Sequence, residues 1–116
     1  MARFALAFMT VFLGVSVAAA APIPKAALDD CKAMSEMANL TMDLRQRGVS
    51  MAKLMDNATE EEDAYWRGVQ RMLVEQAFNR QRFDTTEARA NAISDFENVT
   101  YMACLDNLKR KFTDKR

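Results

Sequence analysis

Two cysteines are the side chains of this sequence whose type and spacing indicate a definite chemistry. Cys31 and Cys104 lie far apart in the 116-residue chain, and an even pair in an oxidising compartment is most simply a disulfide. The sequence has no histidine, which removes the commonest general base and the commonest metal ligand. It also has no glycine-rich phosphate loop and no recognisable nucleophile motif. We therefore expect no catalytic residues, no metal site and no cofactor; paired carboxylates would be the one enzymatic alternative.

Methionines are the second group that could carry chemistry. Met34 and Met37, and likewise Met51 and Met55, are spaced by about one helical turn. Thioether sulfurs are soft ligands that suit Cu(I). Methionine also fills irregular gaps in small helical cores and lines pliant binding surfaces. Core packing is the simplest interpretation, with a partner-binding groove and Cu(I) binding as the two alternatives.

The N-terminus has the three-part pattern of a secretory signal peptide. A positive start in residues 1–3 is followed by an apolar run over residues 4–17 and a small-residue exit over residues 18–21. The apolar run is too short for a transmembrane helix, and cleavage after Ala20 keeps proline away from the scissile bond. We therefore predict a signal peptide over residues 1–20 and a single periplasmic or secreted domain over residues 21–116, with no transmembrane segment.

Charge and size limit the partners and the stability of this domain. Removal of the signal takes away Arg3 and no acid, so 15 of the 16 basic side chains remain beside 16 acidic ones. This balance gives no electrostatic argument for nucleic acid or an anionic membrane. A Cys31–Cys104 disulfide would stabilise the fold by roughly 4 kcal/mol through loop closure. That is a large share of the stability of so small a core; two free cysteines are the alternative.

Hydrophobic periodicity predicts four helices, over residues 25–47, 51–57, 60–82 and 85–111. The fold class is therefore all-α, a small bundle of three long helices and one short helix. The predicted disulfide would join the first helix to the last.

Local signals mark the ends of these helices. Gly48 is suited to end the first helix, and Ser50 to cap the second. Thr59 and Glu62 form a capping-box pattern that predicts the start of the third helix. Gly68 lies inside that helix, where glycine is unfavourable, so we expect another helix to approach closely there.

Five residues are candidates for partner binding. Met34, Met37 and Leu44 widen the apolar face of the first helix beyond what one neighbouring helix covers. Tyr65 and Trp66 are adjacent aromatic residues of the kind that dominates interface energetics, although one of the two is expected to face the core. The broad face of the first helix is also compatible with a homodimer.

Several segments together resemble a group of short exported two-cysteine proteins of Gram-negative bacteria and their phages, which have no assigned activity. Cys31 begins a Met- and Ala-rich helix that leads to the segment 45–48, followed by segments 82–87, 92–96 and 101–105. The resemblance implies an exported, helical protein and no particular site. In layout the chain is also similar to the small periplasmic acid-stress chaperones, which are all-helical with one disulfide.

We therefore expect an exported small helical protein that binds another protein of the cell envelope, as an inhibitor, immunity factor or accessory subunit would. The first alternative is a stress-activated holdase, since protonation of the 16 acidic residues at low pH would leave a strongly positive chain. The second alternative is a Cu(I) binder that uses methionine.

Overall fold

Four α-helices form the part of the chain described by this computed structural model, which covers Gly14 and residues 22–113. They are α1 (Lys25–Gln46), α2 (Met51–Thr59), α3 (Ala64–Phe78) and α4 (Thr86–Thr113). No strand occurs within these ranges. The predicted all-α class, with three long helices and one short helix, is confirmed. The predicted signal peptide lies, apart from Gly14, outside the described residues.

The turn between α1 and α2 follows the predicted capping chemistry. Gly48 has a φ of 89°, in the left-handed region that favours glycine. Its N–H donates to the carbonyl of Arg45 at 3.1 Å, and the N–H of Val49 donates to Leu44 at 3.1 Å. Ser50 then accepts a hydrogen bond from the N–H of Lys53 at 3.2 Å. These bonds satisfy backbone groups at both helix ends and reverse the chain within a few residues.

The predicted bounds of the third helix are wrong at both ends. Asp63 caps α3 by accepting from the N–H of Trp66 at 3.1 Å, whereas Thr59 is the last residue of α2. The Thr59 hydroxyl donates to the carbonyl of Met55 at 2.9 Å. Because Ala58 is buried against the rest of the fold, α2 continues two residues beyond its predicted end at residue 57. The acidic run that follows becomes a connection. At its other end α3 stops at Phe78 rather than residue 82.

Helix α1 is the centre of the arrangement. α4 runs antiparallel along it, joined by the disulfide at one end and by Asn39 Nδ2 donating to Glu97 Oε2 at 2.7 Å near the middle. α3 packs on another side of α1 and against α2, while α3 and α4 are not a closely packed pair. The disulfide links Cys31 to Cys104 with their Cα atoms 5.5 Å apart. The predicted staple between the first and last helices is confirmed.

The core lies where three helices converge. It contains six buried side chains, and Met34, Met37, Trp66, Phe78 and Ile93 pack against them. α1, α3 and α4 all contribute to this buried set, which consists of Ala38, Met42, Val69, Leu73, Ala77 and Phe96. None of the described helices has the length and hydropathy needed to cross a membrane.

Beyond this core the helices leave apolar surface uncovered. Along α4 only Phe96 and Thr100 are buried, although the sequence predicts a continuous apolar stripe that includes Val99 and Ala103. Val99 keeps 47% of its surface exposed. The uncovered part of the stripe faces the space between α3 and α4.

Candidate partner-binding groove

A groove of about 500 Å³ separates α3 from α4, and we call it the α3–α4 groove. It forms because both helices pack on α1 without packing closely on each other. α1 supplies its floor through Met34, and each wall is one helix. The principal apolar lining residues are Met34, Tyr65, Val69, Met72, Val99 and Leu108.

The α3 wall presents two exposed apolar side chains. Tyr65 is 60% exposed and Met72 is 41% exposed, and their separation by two helical turns places them on one face. Trp66 lies next to Tyr65 in an edge-on arrangement with ring centroids 5.1 Å apart, but it packs against the core. One aromatic residue therefore stabilises the fold, and the other remains available to a ligand.

The α4 wall of the groove has an exposed apolar residue at its rim and a buried, hydrogen-bonded residue at its base. Val99 lines this wall and is 47% exposed. Thr100 is buried, and its hydroxyl donates to the carbonyl of Phe96 at 2.8 Å. Because this hydroxyl is satisfied within its own helix, it leaves no unpaired polar group at the floor of the groove.

Only one of the two disulfide-bonded residues lines the groove. Cys104 is partly exposed and lines the groove, whereas Cys31 has no exposed surface. The bond thus holds the base of the α4 wall to α1. It also leaves one of its two residues within reach of solvent.

The predicted binding residues fall into two places. Met34 and Tyr65 line the α3–α4 groove, and Trp66 lies against the core beside it. Met37 and Leu44 instead line a cavity of about 160 Å³ between α1, α2 and α3, which we call the α1–α2 cavity. The structure therefore brings together Met34 with Tyr65 and Met37 with Leu44, but does not form one surface from all five.

Three groove residues are not among the candidates that the sequence identifies. Met72, Val99 and Leu108 continue the inward-facing periodicity of α3 and α4, a pattern that is typical of core residues. The signal that could have identified them is the width of the apolar stripes, which exceeds what α1 alone can cover.

The described residues contain neither a cluster of metal ligands nor an ion pair that suggests reactivity. No group of three or more His, Cys, Asp or Glu side chains in residues 22–113 is placed to hold a metal ion. Away from the groove, the hydrogen bond and charge of Asp29 raise the pKa of Lys25 above its usual 10.5. Both side chains of this i,i+4 pair are exposed, 2.8 Å apart, so the pair is a surface ion pair and not a reactive site.

Comparison with known proteins returned no matching family model, no matching curated protein and no matching solved structure. The functional interpretation therefore rests on the residues and geometry of the groove.

Proposed function

We propose that the protein is an exported, non-enzymatic binding protein that recognises another protein of the cell envelope through its α3–α4 groove. The observation that carries this proposal is the apolar lining of the groove, in which the exposed side chains of Tyr65, Met72 and Val99 surround the partly buried Met34. Contiguous exposed apolar surface on a folded domain is a feature of interaction sites. Tyrosine and methionine are enriched at protein interfaces.

The energetics favour a partner that fills the whole groove. Complete burial of one Val, Leu or Met side chain contributes about 1.5–3 kcal/mol, and these residues are already partly covered. Association costs at least about 4 kcal/mol in lost translational and rotational freedom. One contact is therefore insufficient, whereas simultaneous burial of Tyr65, Met72, Val99 and Leu108 can exceed that cost.

The disulfide supports a binding role because it holds the groove in shape before a partner arrives. It joins the floor helix α1 to the wall helix α4, which lowers the ordering cost of binding. Disulfides persist in oxidising compartments, which agrees with the periplasmic or secreted location that we propose from the N-terminal sequence. The resemblance to exported two-cysteine proteins is consistent with the same location.

Photocrosslinking in cells that export the protein tests this proposal. A benzophenone amino acid would replace Val99 in one variant and Leu40 in another. Leu40 is 59% exposed and lines the α1–α2 cavity instead, so it is a control with comparable exposure. We expect discrete adducts with one or a few envelope proteins from position 99 and none from position 40.

Other outcomes contradict the proposal in different ways. A broad smear of adducts from both positions would indicate a holdase with many clients. Absence of adducts from position 99, with export intact, would remove the main support for protein binding and leave the Cu(I) hypothesis to be tested by competition with a chelator.

A further inference from the structure

We infer that a pocket between the end of α1 and the start of α4 binds a small organic carboxylate, whose charged group adjoins an apolar side chain. Two of its lining residues are Arg47 and Arg89, so we call it the arginine pocket. It is separate from the α3–α4 groove, with which it shares no lining residue. Binding here would therefore be a second activity, independent of the proposed function.

The arginine pocket forms where two helical faces meet. Residues spaced by about one helical turn line it from each helix. The principal ones are Asp43, Gln46 and Arg47 on α1 and Thr86, Arg89 and Ile93 on α4. The pocket has a volume of about 260 Å³, below the range of about 300–1,000 Å³ that is typical of sites for drug-sized ligands. It therefore suits a ligand about the size of one amino acid.

The two arginines lie opposite each other across the antiparallel helix pair. Asn39 of α1 donates to Glu97 of α4 at 2.7 Å, which fixes the register of the two helices. Arg47 follows Asn39 by eight residues, and Arg89 precedes Glu97 by eight. The antiparallel register therefore places both arginines at the same level. Two cations at one level repel each other, and an anion bound between them would be attracted by both.

Only one of these two charges is compensated by an acid of the described chain. The Arg47 Nε donates to Asp43 Oδ1 at 3.1 Å, which forms an i,i+4 ion pair. Arg89 takes part in no ion pair within residues 22–113. Its Nε donates instead to the backbone carbonyl of Phe83 at 2.7 Å, which is a neutral group. The lining of the pocket therefore has one uncompensated positive charge.

The helix dipoles account for Arg47 but not for Arg89. Arg47 directly follows the last residue of α1, where the negative end of the helix favours a cation. Arg89 lies in the first turn of α4, where the positive end of the helix disfavours one. The bond to the Phe83 carbonyl fixes the Arg89 guanidinium without neutralising it. An anionic ligand would offset this cost.

Both guanidiniums keep the edge that best binds a carboxylate. Arg47 and Arg89 each use Nε for the internal bond, to Asp43 and to Phe83 respectively. The two terminal nitrogens of each guanidinium are not used by these bonds. Their parallel N–H groups match the two oxygens of a carboxylate. Because Nε is already bonded, each guanidinium is oriented before a ligand arrives, which lowers the ordering cost of binding.

The other lining residues select the kind of anion. Ile93 is partly buried and gives the pocket an apolar wall, which an inorganic ion would leave uncovered. Asp43 is the one acidic residue of the lining. Its carboxylate repels a doubly charged phosphate more strongly than a singly charged carboxylate. A carboxylate attached to a small apolar group is therefore the anion that matches the whole lining.

The charges around the pocket disfavour an extended polyanion. Asp84 and Glu87 are exposed near the start of α4 but do not line the pocket. Arg82 is exposed as well, and its Nε donates to the backbone carbonyl of Gln46 at 3.0 Å. A nucleic acid strand or an anionic membrane would meet both signs of charge here, whereas a small ligand contacts the lining alone.

The test titrates the exported, oxidised and isotope-labelled protein with N-acetyl-L-leucine and follows its amide signals by NMR. We expect saturable shifts at Arg89 and Ile93, with a dissociation constant in the millimolar range, as expected for a ligand of about 12 non-hydrogen atoms. N-acetyl-L-leucinamide lacks the charge and should bind about tenfold more weakly, because the charge-assisted hydrogen bonds are lost. N-acetylglycine and inorganic phosphate, which lack the apolar group, should also bind more weakly.

Variants locate the site. Arg89→Gln and Arg47→Gln should each weaken binding of N-acetyl-L-leucine about tenfold. Arg71→Gln removes the same charge from an exposed position of α3 and should leave binding unchanged. If Arg89→Gln fails to fold by circular dichroism, Arg47→Gln provides the test, because the Arg47 side chain is 71% exposed.

Two further ligands identify the source of the carboxylate. Tighter binding of free L-leucine, whose ammonium group can pair with Asp43, would assign the pocket to a free amino acid. Tighter binding of a short peptide that ends in leucine would assign it to the C-terminus of a peptide. Four results would overturn the inference: no saturable shift, equal affinity for the leucinamide, tighter binding of phosphate, or equal weakening by Arg71→Gln. None of them would affect the proposed role of the α3–α4 groove.

Discussion

The side-chain oxygen of Gln46 accepts a hydrogen bond from the backbone N–H of Phe83 at 2.8 Å, which joins the end of α1 to the connection between α3 and α4. The Gln46 amide also donates to the carbonyl of Gln81 at 3.0 Å. Its backbone carbonyl accepts from Arg82 Nε at 3.0 Å. Only 1% of Gln46 is exposed, so these bonds are partly shielded from water. They tie the connection between α3 and α4 to the end of α1.

Substitution of Gln46 by leucine should therefore be costly. It removes three side-chain hydrogen bonds, one of them a weak bond from Nε2 to the Met42 sulfur at 3.4 Å. The Phe83 N–H and the Gln81 carbonyl lose these partners, for a loss of about 2–4 kcal/mol. Urea denaturation followed by circular dichroism measures the change. Gln76→Leu, at an exposed glutamine of α3, is the control and should change stability by less than about 0.5 kcal/mol. Equal effects of the two substitutions would contradict the role assigned to Gln46.

The disulfide should account for a large part of the stability of the domain. Its residues are 73 positions apart, and closure of so long a loop lowers the free energy of folding by about 4 kcal/mol in the chain-entropy treatment. Urea denaturation with and without a phosphine reductant, and of the double variant Cys31→Ser and Cys104→Ser, provides the measurement. An unchanged midpoint after complete reduction would show that packing alone stabilises the fold.

Thiol attack on the folded protein should occur at Cys104. Cys31 has no exposed surface, while Cys104 is partly exposed in the groove. A small thiolate would bond to the Cys104 sulfur and release Cys31 as the thiolate, which then takes up a proton. Brief treatment with cysteamine, acid quenching and peptide mapping should find the adduct on Cys104 and the free thiol at Cys31. An adduct mainly on Cys31 would contradict the observed burial.

Processing of the N-terminus should yield a chain that begins at Ala21. The predicted signal peptide ends at Ala20, and export would bring the two cysteines into an oxidising compartment. Intact-mass spectrometry of the protein recovered from the periplasm or medium should show the 21–116 chain less two hydrogen atoms. A protein that keeps Met1 and reduced cysteines in the cytoplasm would refute the proposed location.

The disulfide and the all-α class can be predicted from the sequence because few other pairings or fold classes are compatible with it. With two cysteines in the chain, Cys31 has one possible intramolecular partner. Helical periodicity extends over long segments in α1 and α4, so the class of structure does not depend on any single residue.

Helix ends and buried polar residues are harder to predict because several local solutions have similar energies. Thr59 and Asp63 can both cap a helix, and such caps differ by about 1 kcal/mol or less. Burial of Ala58 favours the longer α2 and leaves Asp63 as the cap of α3. Gln46 continues the inward register of Ala38 and Met42, but its partners belong to a connection whose course the sequence does not specify.

The groove could be predicted only in part for a related reason. Periodicity identifies Met72 and Val99 as members of apolar stripes, but it does not show whether the same chain covers them. Met34 and Tyr65 are predicted from the sequence as partner-binding residues, and both line the groove. Their position on one surface depends on the divergence of α3 from α4, which the sequence does not specify.

The most direct test of a binding role is the amount of crosslinked envelope partner recovered with Val99→Glu and with Leu40→Glu. Both variants would carry the photocrosslinking residue at position 72, inside the groove, and both replace an apolar residue that is exposed by 47% and 59%, respectively. If the groove binds the partner, Val99→Glu should lose most of the adduct and Leu40→Glu should retain it. Equal yields from the two variants would contradict the proposal that the α3–α4 groove is the binding site.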